Sequence, residues 1–280
     1  MSLVVGSSTV VCCPTKINDP GPFFGVVPAP IRIMRPWFFL LLLGLLPTCE
    51  ADSIMANELE AGYDYFPLSV GRSWTYALDS VVYYDLGEQV DTFSGWVRDV
   101  VTGTWRTGSD SLYRVTRAFR QKENDPWVPQ GMYLLGHNGA RAVRQMGNLR
   151  LVPLVFPVRP GQSWDPTIFF DDSRAFPVGA DRVVVYKNWS GRIMDTTGIF
   201  RQDELELSGI AEVVLAGTVN AIELRYARER YARGIGLVSR DWYILDSQCL
   251  CCPTEVLDID CWSEQAERGL IIRQRLIDYQ

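Results

Sequence analysis

From Tyr65 to the C-terminus, apolar and polar positions alternate between breaks of Gly, Pro, Asn and Asp. A period of two, carried by β-branched and aromatic residues, is the pattern of extended strands with one buried face. In Ser73–Leu86, Trp74, Tyr76, Leu78, Val82 and Tyr84 share a face that Ser80 interrupts. Gly87-Glu88 predicts a turn and Val90–Val101 the returning strand. Leu112–Gln121 sets Tyr113, Val115 and Phe119 against Arg114, Thr116 and Arg120. Asn138-Gly139, preceded by His137, predicts a hairpin between Met132–Leu135 and Arg141–Val143, because Asn-Gly tolerates the positive φ of tight hairpin turns. Val183–Trp189, Ile210–Leu215, Val219–Leu224, Leu237–Leu245 and Leu270–Ile277 read as further strands. Ala56–Ala61 and Arg225–Arg233 are the only weak helix candidates. Strand following strand through short turns predicts an all-β fold over residues 64–280. The expected form is a single antiparallel, strongly curved sheet (half-barrel, barrel-like or sandwich) with little helix.

One phrase occurs twice. Phe66-Pro67-Leu68-Ser69-Val70-Gly71-Arg72-Ser73-Trp74 returns as Phe156-Pro157-Val158-Arg159-Pro160-Gly161-Gln162-Ser163-Trp164. Pro starts an extended entry, Gly permits a tight turn, and Trp opens the next strand on its buried side. The repeat reads as one structural corner used twice; a paired ligand site is the sharper alternative.

Upstream of Tyr65 the pattern changes. After Met34 and Arg35 comes an apolar run from Trp37 to Leu46, then Pro47-Thr48-Cys49. That run is about half of the ~20 residues a membrane-spanning helix needs. A short positive start, a short apolar stretch and a small-residue exit predict a secretory signal peptide over 34–48. Residues 1–33 then precede a signal peptide that should lie close to its own start codon, so translation is expected from Met34, with 1–33 a non-native extension. Residues 49–63 are polar and unpatterned, as a flexible tether would be.

Composition narrows the function. At 47% hydrophobic and 21% charged residues the chain is an ordinary globular one, which argues against disorder and a multi-span membrane protein. A net charge of −6 argues against a nucleic-acid partner, which would need a basic surface. The single histidine, His137, lies in a predicted turn with no G-x-S-x-G elbow to serve. Asp171-Asp172, Asp203-Glu204 and Asp258/Asp260 are the paired carboxylates; side chains of adjacent strand residues point to opposite faces, so the first two pairs would not converge if extended. No enzymatic activity, cofactor or metal is expected. Eight tryptophans follow the leader; most are expected to fill the concave side of the sheet, and Trp127 and Trp262 are the ones expected to be exposed.

Cys249, Cys251, Cys252 and Cys261 crowd a loop at 246–265. In an exported chain four such thiols predict two disulfides, with three pairings possible. A Cys251–Cys252 bond would be strained, so Cys249–Cys252 with Cys251–Cys261 is preferred. A four-thiolate metal site is the alternative, although CxCC lacks the usual paired knuckles.

Leu46-Pro47-Thr48-Cys49 resembles the lipobox of bacterial lipoproteins, with Thr48 standing where the family carries Gly, Ala or Ser. The resemblance implies that Cys49 is acylated and becomes the first mature residue. The stretches Phe66–Tyr76, Ala216–Ile222 and Tyr231–Val238 resemble uncharacterised β-rich lipoproteins of the Gram-negative cell envelope. This implies a curved sheet related to lipoprotein carriers, held at the envelope, the outer membrane above all, by acyl chains on Cys49. It implies no reaction. The expected role is a non-enzymatic binding protein for a lipid or other apolar ligand. An envelope scaffold or adhesion module that meets a protein or glycan through its loops is the alternative.

Overall fold

The computed structural model describes residues 60–107, 110–248 and 257–280. The chain divides into residues 1–50 and 51–280, and only the second unit holds described residues. The expected signal peptide, Cys49, Cys249, Cys251 and Cys252 lie outside them. Among the described residues no helix is long and apolar enough to cross a membrane.

The fold is one twelve-stranded antiparallel sheet assembled from two six-stranded meanders. The first runs β1 (Ser73–Tyr84), β2 (Gln89–Thr107), β3 (Asp110–Arg120), β4 (Val128–His137), β5 (Ala142–Met146) and β6 (Leu149–Leu151). The second starts with β7 (Ser163–Trp164). After a small separate hairpin, β8 (Phe176–Val178) and β9 (Asp181–Val183), it continues as β10 (Gly191–Gln202), β11 (Leu205–Val219), β12 (Glu223–Ala232), β13 (Gly236–Asp246) and β14 (Arg268–Tyr279). β1 pairs with β14, which joins the meanders in the order β6-β5-β4-β3-β2-β1-β14-β13-β12-β11-β10-β7.

The repeated phrase is the corner that opens each meander. Residues 69–72 and 159–162 form the same turn, closed by Arg72 N–H to Ser69 O at 3.2 Å and by Gln162 N–H to Arg159 O at 3.3 Å. Gly71 and Gly161, at φ 94° and 85°, donate to Val101 O and Ile193 O in the neighbouring strand. Val101 and Ile193 donate back, to Arg72 O and Gln162 O. Both indole N–H groups then staple the sheet, Trp74 to Ile235 O at 2.7 Å and Trp164 to Val152 O at 2.8 Å.

The sheet is strongly curled. β5 and β12 stand seven strands apart in the order, about 34 Å on a flat sheet at ~4.8 Å per strand. Yet Arg144 of β5 donates to Glu229 of β12 at 2.9 and 3.0 Å. Bulges within the pairings of β1–β14, β2–β3, β3–β4, β10–β11, β11–β12 and β12–β13 supply the bending. The end strands β6 and β7 do not pair as strands. Beside them, Val152 N–H donates to Pro166 O at 2.8 Å, so the edges approach without closing a barrel.

Inside the curl, Trp74, Tyr76, Val97, Val115, Ile193, Leu215, Val238 and Leu276 pack against Leu154, Phe156, Val178, Val183, Tyr186 and Trp189 from segment 152–190. Arg225 ties that segment to the sheet, its Nε donating to Val184 O at 3.0 Å. A smaller apolar cluster covers part of the outer face, where Tyr83, Leu224, Tyr243, Leu245 and Ile271 meet Trp262.

Four local expectations change. Arg225–Arg233 is not a helix: all of it but Arg233 falls in strand β12, where Arg225, Ala227, Glu229 and Tyr231 alternate inward as one buried face. Val219–Leu224 is not one strand: Val219 ends β11, residues 220–222 turn, with Asn220 Oδ1 accepting from the Ile222 and Glu223 N–H groups at 3.0 Å, and Glu223 and Leu224 open β12. Val183–Trp189 leaves the strand after Val183 and turns, with Asn188 at φ 57°. Trp262 is buried, 1% exposed, because α1 (Ile259–Gln265) lays it on the outer cluster; among the described tryptophans Trp105 is the exposed one, at 63%.

Candidate ligand-binding site

The residues that set the chemistry of the interior are charged, and the strand alternation turns them inward. Glu229 is fully buried on β12 and accepts from Arg144 Nη1 and Nη2, from Arg240 Nε at 2.8 Å, and from the Tyr231 hydroxyl. Burial alone would raise its carboxyl, but the two guanidiniums outweigh burial and hold it down at about 2. Asp99 on β2, also buried, accepts from Arg117 Nε and Nη2 at 2.7 and 2.6 Å and from the Tyr133 hydroxyl at 2.8 Å. Burial, then the neighbouring Asp99, push the Tyr133 phenol upward, so it stays a donor.

Three hollows meet at this cluster, and Arg117 and Arg240 line all of them. The first, about 50 Å³, lies beside Phe66, Trp74, Tyr76 and Leu135. The second, about 240 Å³, is walled by Leu78, Ser80, Val82, Leu270, Ile272 and Gln274. The third, about 140 Å³, is walled by Met146, Leu149, Leu151, Phe170 and Trp242. Leu78, Val82, Leu149, Leu270 and Ile272 are only half-buried, and Met146 is exposed, so the interior keeps an uncovered apolar strip. One part of the curl is packed solid and the part around Arg117 and Arg240 is a cleft. The period-two face Trp74-Tyr76-Leu78-Ser80-Val82 is its wall.

The other predicted groups have structural work. Asp171 accepts from Ser173, Asp172 from Asn188 N–H, and Asp258 caps α1 through Cys261 N–H at 3.0 Å. Asp203 sits in the β10–β11 turn with φ 52°. His137 stacks on Tyr63 with ring centroids 5.5 Å apart. Cys261 lies on α1; Cys249, Cys251, Cys252 and the acylation candidate Cys49 are outside the described residues. Trp127 is half-buried under the guanidiniums of Arg98 and Arg120, 4.5 and 4.6 Å from the ring centroid. Arg117, Arg144, Glu229 and Arg240 were not singled out from the sequence. Their signal was the inward parity of a charged residue within a strand.

Fold and site together define a curled all-β protein with a cation-walled apolar cleft. No family model matches the chain, and no curated protein matches it. Among solved structures it is similar to a protein of Bacteroides fragilis described as exported and as having a YmcC-like fold. Identity is 12%, covering 77% of this chain and 98% of that one, with a TM-score of 0.37. It is also similar to a protein of Parabacteroides distasonis described as a lipoprotein, at 10% identity, the same coverage and a TM-score of 0.32.

Proposed function

We propose that this chain is an exported binding protein, anchored in the cell envelope through acyl chains on Cys49, that holds an apolar ligand in the cleft on its inner face without chemical turnover. The observation that carries the reading is the cleft itself. A protein with no ligand to house gains by covering Leu78, Val82, Leu270 and Ile272, since each fully buried aliphatic side chain contributes about 1.5–3 kcal/mol. Here they line an uncovered hollow while segment 152–190 fills the space beside it. Anchoring rests on the signal peptide and lipobox-like sequence, and the outer membrane is the proposed site. Two disulfides among Cys249, Cys251, Cys252 and Cys261 would staple the segment between β13 and β14, and α1 already fixes one end of it against the outer cluster.

The test is titration with N-phenyl-1-naphthylamine, a neutral apolar dye that fluoresces when removed from water. The full chain is used with Cys49→Ala, so that its own acyl chains do not compete. Saturable binding of about one dye per chain is expected. Ser80→Trp, which puts a large ring into the second hollow, should weaken it at least tenfold with the thermal midpoint retained. No saturable binding, or equal binding by a folded Ser80→Trp protein, contradicts the cleft reading.

A further inference from the structure

We infer that the ligand is an amphiphile with an anionic head, a carboxylate or phosphate group, set against Arg117, Arg240 and Gln274 with its hydrocarbon chain along Leu78, Val82, Leu270 and Ile272. This rests on the cleft being a ligand site, and two further observations specify the class.

The first is the distribution of charge. Arg117, Arg144 and Arg240 all line the hollows, whereas their counterions Asp99 and Glu229 line none and lie buried behind them. Three guanidiniums face two carboxylates, so the cluster carries one positive charge in excess, and the excess is on the cleft side. In a partly desolvated hollow that charge attracts an anion far more strongly than an exposed arginine would.

The second is the inventory of unused hydrogen-bonding groups. Gln274 and Trp242, 1% and 6% exposed, line the second and third hollows, and Gln274 Nε2 and Trp242 Nε1 have no hydrogen-bond partner. Arg240 Nη1 donates to Gln274 Oε1 at 3.3 Å, which fixes the amide so that its NH2 end is the unused one. Both unused groups are donors. A buried donor without a partner costs about 1–3 kcal/mol, a cost that an acceptor-rich head group removes. A neutral apolar ligand would leave Gln274 Nε2 and the excess charge unanswered; an anionic head in the second hollow answers both. The apolar walls on either side exclude a small free anion as the whole ligand, since it would leave Leu270 and Ile272 uncovered.

Displacement of bound N-phenyl-1-naphthylamine from the Cys49→Ala chain tests this with four competitors: dodecanoate, dodecyl phosphate, dodecanol and inorganic phosphate. Dodecanoate and dodecyl phosphate should displace the dye at concentrations at least tenfold below dodecanol, and their relative potency identifies the head group. Inorganic phosphate should not displace it. Gln274→Glu replaces the unused donor by a carboxylate of the same shape and should bring the acid-to-alcohol preference to unity or below. Added salt should narrow the preference for the anionic competitors. Dye binding with dodecanol and dodecanoate equal would overturn the anionic head and leave the apolar cleft standing. Displacement by inorganic phosphate at the potency of dodecyl phosphate would overturn the amphiphile. Absence of dye binding would remove the cleft reading, and this inference with it.

Discussion

Glu229→Gln is expected to destabilise the domain by about 3–5 kcal/mol, the cost of removing one partner from a buried ion cluster. Among the described residues the carboxylate is the one anion paired with two guanidiniums, from Arg144 across the interior and from Arg240 on the adjacent strand. The amide keeps the shape and some hydrogen bonds but leaves two buried cations uncompensated. At about 2–4 °C per kcal/mol for a domain of this size, the thermal midpoint should fall by about 6–20 °C. The dependence on pH follows from the depressed carboxyl. Glu229 is held at about 2 in the fold against an ordinary value of 4.5. Its stabilisation is therefore complete above the ordinary value and is lost as pH falls from there through about 2. The parent protein's midpoint should drop across that window, and the drop should be smaller in Glu229→Gln. Replacing the cluster as a whole, by Arg144→Met, Glu229→Leu and Arg240→Met together, should cost less than the single change, because no buried charge is then left alone. A Glu229→Gln protein with unchanged midpoint and unchanged acid profile would mean that the cluster does not brace the interior.

Gly269→Ala should be at least as damaging, about 4 kcal/mol or more. Gly269 lies in β14 between Tyr83 of β1 and Leu245 of β13, at the junction of the two meanders, with φ 132°. An added Cβ would stand 2.0 Å from Ile244 O and 2.9 Å from Leu245 Cα, both backbone atoms of the neighbouring strand, which cannot swing aside as a side chain would. Gly71→Ala is the internal comparison: φ is positive there as well, at 94°, but nothing lies within 4 Å of the added methyl. Only backbone strain is paid in that case, about 1–2 kcal/mol. Thermal unfolding of the two variants side by side separates crowding from conformation; equal midpoints would show that the β13–β14 contact tolerates an extra carbon.

Much of the sheet was legible because strand alternation is local. Trp74, Tyr76, Leu78, Ser80 and Val82 announce a face whatever lies across from them, and Asn138-Gly139 announces its hairpin. The repeated phrase announces a corner, though not that each corner opens one half of the sheet. The interior chemistry was hidden for two reasons. Charged positions count as exposed in a hydrophobic pattern, so Arg225-Tyr226-Ala227-Arg228-Glu229-Arg230 read as a helical charged run, although Arg225 and Glu229 point inward with Ala227 and Tyr231. And Arg144 meets Glu229 across 85 residues only after the sheet has curled, a contact with no signature in either neighbourhood. Trp262 was misplaced for a similar reason: a seven-residue helix capped by Asp258 carries it onto the outer cluster.

The most direct measurement is native mass spectrometry of the mature chain isolated from the envelope without added lipid or reductant. A non-covalent adduct of a few hundred daltons is expected, lost on denaturation and identified by fragmentation as an acyl chain with an anionic head. The denatured protein should begin at acylated Cys49 and be four hydrogens light. A folded protein that flies without adduct, and takes up none when offered dodecanoate or dodecanol, would contradict the assignment of the cleft as a ligand site.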